Sequence, residues 1–438
     1  MDLEFRDSKI EQMKREELEL LQLDRFKKTL INVYENVTFY KKRLDDCGVN
    51  PYRFSGFDEM DKIPFTTKED LRLNYPFKLF ARPLNQIVRM HSSSGTTGNP
   101  TVVAYTKADI EMWSEAVARQ LFAIGIRPGD TVQNSYGYGL FTGGLGLHYG
   151  IEALGAIAVP VSGGNTERQI KIMKDFNTAA ICCTPSYALY IAEVGKEMGV
   201  DFGKTALRTG ILGAEPWTDV MRAEIEQRLG INAYDIYGLS EVMGPGVACE
   251  CTFKNGLHIS EDNFIAEIID PKTQKRLSGA KTGELVFTTI TKEGMPVIRY
   301  RTKDLSSINY EICDCGRTHG RMKKTIGRSD DMLIIRGVNV FPSQIEEVLM
   351  KVKEIEPHYL IVVDRKNYLD YIEVWVEVSE DIFSEKMNVL EAFETSIEHK
   401  LYSSIGINIG VKLKEPKTIK RSEGKAKRVI DMRKGEKP

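Results

Sequence analysis

Apolar residues recur at helical spacing through the first fifty positions. Leu18, Leu20, Leu21, Leu23 and Phe26, then Leu30, Val33 and Tyr34, stand in an otherwise polar stretch and predict helix over residues 8–48. Asn50-Pro51 and Ser55-Gly56 interrupt it, and Thr66-Thr67-Lys68-Glu69 is a capping pattern that predicts a short helix start. Ile110, Trp113, Val117, Leu121 and Phe122 give an amphipathic helix over 107–125. Between these helices, residues 86–90 and 101–105 read as strands, the second rich in β-branched residues.

From residue 127 to 230, strand and helix signals alternate. Thr131-Val132-Gln133-Asn134, the run 155–160, the run 178–183 and the run 207–213 read as strands; 166–176 and 218–229 read as helices. That alternation predicts an α/β fold with a doubly wound, mostly parallel sheet, whose ligands gather at the carboxyl ends of the strands. Gly213-Ala214-Glu215-Pro216 and Tyr234-Asp235-Ile236-Tyr237-Gly238 are such ends. After residue 264 the pattern turns to strands and turns (265–269, 283–289), which predicts an antiparallel subdomain over about 250–327. Gly327-Arg328-Ser329-Asp330-Asp331 is a charged break. Beyond it, helix over 342–352, an alternating strand over 371–378 and helix over 384–403 predict a small α+β domain. The expected organisation is a large domain over 1–327, a hinge at 328–331 and a small domain over 332–438.

The strand-flanked segment 92–100 carries the most distinctive chemistry. Ser92-Ser93-Ser94-Gly95-Thr96-Thr97-Gly98 puts five hydroxyls and two glycines in seven residues, and Asn99-Pro100 ends it. Glycines let backbone N–H groups turn toward an anion, and hydroxyls add orientable donors, so the loop suits a polyphosphate. It lacks the Gly-Lys-Ser/Thr ending of a P-loop.

With 438 residues the chain has material for two or three domains. Lys+Arg 60 against Asp+Glu 62 leaves a net charge of -2, which removes the electrostatic footprint of a nucleic-acid binder. The polar, acidic start and the lack of an apolar run of roughly 18–20 residues lead to the expectation of a cytoplasmic protein without membrane partners. The seven cysteines suit reduced thiols better than a disulfide framework. Cys249-x-Cys251, His258 and Cys313-x-Cys315 offer soft thiolates and an imidazole, the donor set of a tetrahedral structural Zn²⁺.

Several motifs then agree in order and spacing. Ser93-Ser94-Gly95-Thr96-Thr97-Gly98-Asn99-Pro100 resembles the phosphate loop of adenylate-forming enzymes. Tyr237-Gly238-Leu239-Ser240-Glu241 and Tyr300-Arg301-Thr302-Lys303-Asp304 resemble their second and third nucleotide motifs, and Gly424-Lys425 resembles the lysine motif of their mobile domain. Gly213-Ala214-Glu215-Pro216-Trp217 and the run 334–342 are similar to the phenylacetate-CoA ligase branch. The resemblance implies ATP, Mg²⁺ and coenzyme A as co-substrates and cofactors. An aryl acid would be activated as its adenylate and passed to CoA; a deazaflavin adenylyltransferase like the coenzyme F390 synthetases, or a silent nucleotide-binding relative, is the alternative.

Residue by residue, it implies Lys425 as the catalytic cation and Glu241 as the catalytic Mg²⁺ ligand. Nucleotide contacts would come from Ser93, Ser94, Gly95, Thr96, Thr97, Gly98, Gly213, Ala214, Glu215, Pro216, Asp235, Tyr237, Gly238, Ser240, Asp304 and Arg328, with Glu215 and Tyr237 around adenine and Asp304 on the ribose. Tyr136, Phe141, Ala214, Ile236 and Pro245 would line the acyl pocket, Asp330 would be the hinge, and Gly337 would let CoA pass. Relatives also point to Cys251, His258, Cys313 and Cys315 as the zinc set, with Cys249 spare, and to a homodimer. Asn99 departs from the family, which usually has Lys there.

Overall fold

Two capping boxes start the helices that the spacing predicts. Thr67 accepts the Asp70 N–H and receives the Asp70 carboxylate on its own N–H, opening Lys68–Leu73; Thr106 and Asp109 do the same for Lys107–Ala123. The computed structural model describes residues 4–93, 99–336, 338–366, 369–384 and 387–436. The first helical stretch resolves into Ser8–Glu11, Arg15–Asn36 and Thr38–Asp46, with Leu18, Phe26, Leu30 and Val33 fully buried.

Strand β1 (Arg89–Ser92) pairs antiparallel with β2 (Val102–Tyr105). The strand expected over 86–90 is shifted: Leu84–Gln86 is a 3-10 turn, and extended pairing starts at Arg89. Then β3 (Thr131–Asn134), β4 (Ile157–Val159), β5 (Ala180–Cys183), β6 (Thr209–Gly213) and β7 (Asn232–Leu239) form five parallel strands in the order β4-β3-β5-β6-β7. Helices Thr142–Leu154, Thr166–Asp175, Pro185–Glu197 and Asp219–Leu229 cross between them, so all five carboxyl ends share one rim.

The sheet reverses after β7. Strand β8 (Gly244–Cys249) folds back on β7, and β9 (Leu257–Ile259) pairs antiparallel with β8. Three further strands, β10 (Phe264–Ile269), β11 (Gly283–Thr289) and β12 (Tyr300–Ser306), belong to a second, antiparallel sheet. Next, β13 (Ile308–Asn309) and β14 (Arg321–Met322) return to the large sheet beyond β9, whereas β15 (Gly327–Arg328) closes the small one against β12. Among the described residues the large sheet thus has nine strands and is parallel over five and antiparallel over four. Region 250–327 feeds both sheets.

The last part carries the hairpin β16 (Leu333–Ile335) and β17 (Val338–Val340), then β18 (Ile355–Lys366), β19 (Leu369–Val378), β20 (Gly410–Lys414) and β21 (Val429–Asp431) in the order β20-β19-β18-β21. Helices Pro342–Leu349 and Met387–Ile405 complete it, and Ile335, Val340, Ile345, Ile361 and Val374 lie in a hydrophobic cluster of its own. Among the described residues, no helix is long and apolar enough to cross a membrane.

Candidate functional site

The expected phosphate loop leaves β1 and re-enters β2 through a closed neck. Ser93 donates its N–H to Thr101 O at 3.0 Å, and its Oγ accepts the Thr101 hydroxyl at 2.6 Å. Ser94, Gly95, Thr96, Thr97 and Gly98 lie outside the described residues, as does Gly337. The neck is tied to the aromatic segment before helix Thr142–Leu154, because Leu140 O accepts from Ser92 N–H at 3.0 Å and from His91 Nδ1 at 3.1 Å.

The strand ends bring the other candidates to one rim. Tyr136 follows β3 and donates its hydroxyl to Cys183 O at the end of β5 (2.6 Å). At the end of β6, Gly213 pairs in register with Ile236, and exposed Ala214 has φ +69°, a left-handed conformation costly for a residue with a Cβ and frequent at functional sites. Its neighbours Glu215 and Pro216 follow, half-buried and exposed. Gly238 on β7 faces Pro245 on β8; a Cβ at 238 would lie 1.8 Å from Gly244 O, so only glycine fits. Ser240 Oγ is 2.9 Å from Thr142 Oγ1, which brings the start of that helix, and its preceding exposed Phe141, to the β7 end. Glu241 is buried with its Oε1 3.4 Å from Lys68 Nζ. Asp235 sits deeper: burial, then the nearby Glu250, raises its carboxyl to about 7.

Asp304 lies opposite Arg328 across β12 and β15, with Oδ1 3.6 Å from Arg328 Nη1. Tyr237 donates its hydroxyl to Asp304 Oδ2 at 2.6 Å, so the phenol expected near adenine also orients the carboxylate expected on ribose. Burial raises the Asp304 carboxyl, while Tyr237, Arg328 and Lys425 pull the other way. Arg328 is held by Asp330 in a two-point pair at 2.9 and 3.0 Å. Lys425 is exposed on a loop, and its charge is felt at both Asp304 and Asp331.

That loop is fastened to the large domain by contacts the sequence did not announce. Ala426 N–H donates to Glu215 Oε2 at 2.9 Å, while Glu215 Oε1 accepts Ser186 N–H and Oγ–H at 2.7 and 2.5 Å. Thr184 Oγ1 donates to Gly424 O at 2.9 Å, and Arg428 donates to Ser186 Oγ at 3.0 Å. Arg421 bridges Glu193 and Glu377 at 2.8 Å each. Thr184 caps helix Pro185–Glu197, so a Thr-Pro helix start was the one available signal. The arginines sit in a basic tail, where each looks like its neighbours.

Cys251, His258, Cys313 and Cys315 are buried, with their ligand atoms within 4.8 Å of one another. Cys251 Sγ and Cys313 Sγ are 3.8 Å apart, and Cys315 Sγ is 3.4 Å from His258 Nε2. A disulfide needs about 2.05 Å, whereas ligands about 2.3 Å from a tetrahedral metal sit about 3.8 Å apart. The donor set therefore fits Zn²⁺. Cys249 is buried in the main core, outside the group.

Residues 49–291 match the family model described as AMP-binding enzyme, and residues 337–433 match AMP-binding enzyme C-terminal domain. A phenylacetate-coenzyme A ligase of Thermus thermophilus is 50% identical over 439 residues, covering 97% of this chain and 99% of its own. A 2-hydroxyisobutyryl-CoA ligase in the postadenylation state, in complex with 2-HIB-AMP, superposes with TM-score 0.92 at 29% identity, covering 98% of this chain and 92% of its own. The same ligase with 2-HIB-AMP and CoA in the thioesterification state, at the same identity and coverage, reaches only 0.73. With its strand-rim site, its loop-borne lysine and half its residues shared along the whole length, the chain belongs to the phenylacetate-CoA ligase family of adenylate-forming enzymes.

Proposed function

We propose that the chain is an ATP-dependent, AMP-forming CoA ligase for an aryl acid of the phenylacetate type. A carboxylate oxygen attacks the α-phosphorus of ATP, pyrophosphate leaves, and the acyl-adenylate forms. The CoA thiolate then attacks the acyl carbonyl and AMP departs. Positioning and charge neutralisation supply the catalysis. Lys425 stabilises charge between carboxylate and α-phosphate, Glu241 would hold Mg²⁺, which would supply positive charge to the phosphates, and Asp304 takes the ribose hydroxyls. The loop 93–98 clamps the leaving pyrophosphate. Tyr136, Phe141, Ala214, Ile236 and Pro245 line the acyl side. Residues 1–327 form the large domain and 332–438 the small one, which turns about Asp330 between the two steps and brings Gly337 to CoA.

The observation that carries this reading is the docked Lys425 loop, whose charge reaches Asp304 while its backbone is bonded to Glu215 and Thr184. The better fit to a postadenylation structure agrees with it. Phenylacetate should drive ATP–pyrophosphate exchange and CoA-dependent AMP release; exchange driven by a deazaflavin and not by any aryl acid would overturn it. A homodimer and a cytoplasmic setting complete the reading.

The four-residue cluster holds a structural Zn²⁺ that takes no part in the reaction. It would staple the β8–β9 connection to the loop before β14. Metal analysis of protein purified without chelators should find about one zinc per chain. Cys315→Ser should lose it and lower the melting temperature, and Cys249→Ser should retain it. Protein without zinc at near-stoichiometric level refutes the site.

A further inference from the structure

Between Glu241, on the metal side, and Pro245, on the acyl side, the chain reverses from β7 to β8. Three buried side chains donate into this turn in succession. Lys292 Nζ donates to Val242 O at 3.2 Å, Tyr105 OH to Met243 O at 2.7 Å and Trp113 Nε1 to Pro245 O at 2.6 Å. All three donors are at most 2% exposed, and Val242 and Met243 are fully buried. The donors also pack on one another: Tyr105 and Trp113 stack at 4.9 Å with planes 17° apart, and Lys292 Nζ lies 4.3 Å from the Tyr105 ring centre.

Nothing in the adenylation chemistry calls for a buried lysine here. Burial lowers its pKa to about 8, and the nearby Asp109 and Glu241 carboxylates oppose that shift. Trp113 is immobilised just as firmly. A Cβ at Gly146 would fall 2.3 Å from its Cζ2 and 2.7 Å from Pro245 Cγ, and one at Gly244 would fall 2.6 Å from the same Trp113 atom. The indole therefore occupies a slot that glycines leave open, directly behind Pro245.

Resting on the ligase reading above, we propose that Tyr105, Trp113 and Lys292 are positioning residues that fix the turn from Glu241 to Pro245, and that Trp113 thereby sets how large an aryl acid the site accepts. Each removes the desolvation cost of one turn carbonyl, which an apolar replacement leaves unpaired. Lys292 acts at the end next to Glu241, and Trp113 acts at the acyl end.

The 438-residue chain with Tyr105→Phe, Trp113→Phe or Lys292→Met tests this in phenylacetate-dependent ATP–pyrophosphate exchange, with melting temperatures measured alongside. Tyr105→Phe and Trp113→Phe should raise the KM for phenylacetate about tenfold while the KM for ATP stays within about twofold. Trp113→Phe should also narrow the preference for phenylacetate over 3-phenylpropionate. Lys292→Met should raise the Mg²⁺ concentration needed for half-maximal rate about tenfold. Equal changes in both KM values, or a lower melting temperature with kinetic constants unchanged, would overturn the proposal. If the unmodified chain exchanges with no aryl acid, the ligase reading falls and takes the proposal with it. If it exchanges and the variants match it, the proposal alone falls.

Discussion

Replacing Lys425 with alanine should slow acyl-adenylate formation about a thousandfold, roughly 4 kcal/mol of transition-state stabilisation, the range for removing one preorganised electrostatic group. Lys425 is exposed in a loop, so the substitution should leave the fold intact. The two half-reactions make the test specific. Adenylation is read by single-turnover formation of the adenylate, and thioester formation is read by supplying the acyl-adenylate and CoA. Only the first should collapse, because the second step transfers an acyl group already activated. Equal losses in both would show that Lys425 supports the site generally.

The second large effect concerns movement of the small domain. Arg228, in the last turn of helix Asp219–Leu229 and so at the end of the sheet opposite the strands' carboxyl ends, reaches Glu356 on β18 at 3.2 Å. Cysteines at these two positions, joined by a short thiol-cleavable reagent, should hold the adenylation arrangement. Adenylate should then form at close to its normal rate, while CoA-dependent turnover falls at least about a hundredfold and returns on cleavage. Undiminished thioester formation in the joined protein would mean that one arrangement serves both steps. The native grip is itself electrostatic. Burial works against the Glu193 carboxylate, but Arg421 and His358 outweigh it and hold its pKa below the usual range.

Local signals read well from the sequence because local physics decides them. Thr67 and Thr106 open helices since their hydroxyls meet an N–H three residues on, and that spacing is visible in one dimension. The five parallel strands were legible from alternation with amphipathic helices, and so were their ends at Gly213 and Tyr237. The antiparallel half of the large sheet was not. Strands β13 and β14, two residues each, carry no periodicity; β14 is placed by pairing with β9 some sixty residues earlier, and β13 by pairing with β14. Residues 86–90 look extended, yet Pro83 favours a turn that consumes the first of them. At the site, Lys425 and Glu241 stood in recognisable runs, whereas Ser186 and Arg421 owe their positions to the docking of two domains. The Cys and His residues were legible as a donor set; spacing alone left Cys249 and Cys251 equal, the resemblance favoured Cys251, and the fold brings Cys251 into the group while Cys249 lies in the main core.

The reversal from β7 to β8 leaves this enzyme unequal freedom to change. Only four residues separate the two strands, Gly238 and Gly244 touch backbone to backbone, and buried donors occupy the turn. An insertion there would disturb the proposed metal side and the proposed acyl side together, so lineages that altered it should lose activity before gaining a new substrate. The side chains of the segment 137–141 are freer: Gly137, Gly139, Leu140 and Phe141 are all exposed, and the segment is tied at Leu140 O to Ser92 and His91. New acid preferences in this lineage should therefore have arisen by drift in that aromatic segment, with the turn opposite left nearly frozen.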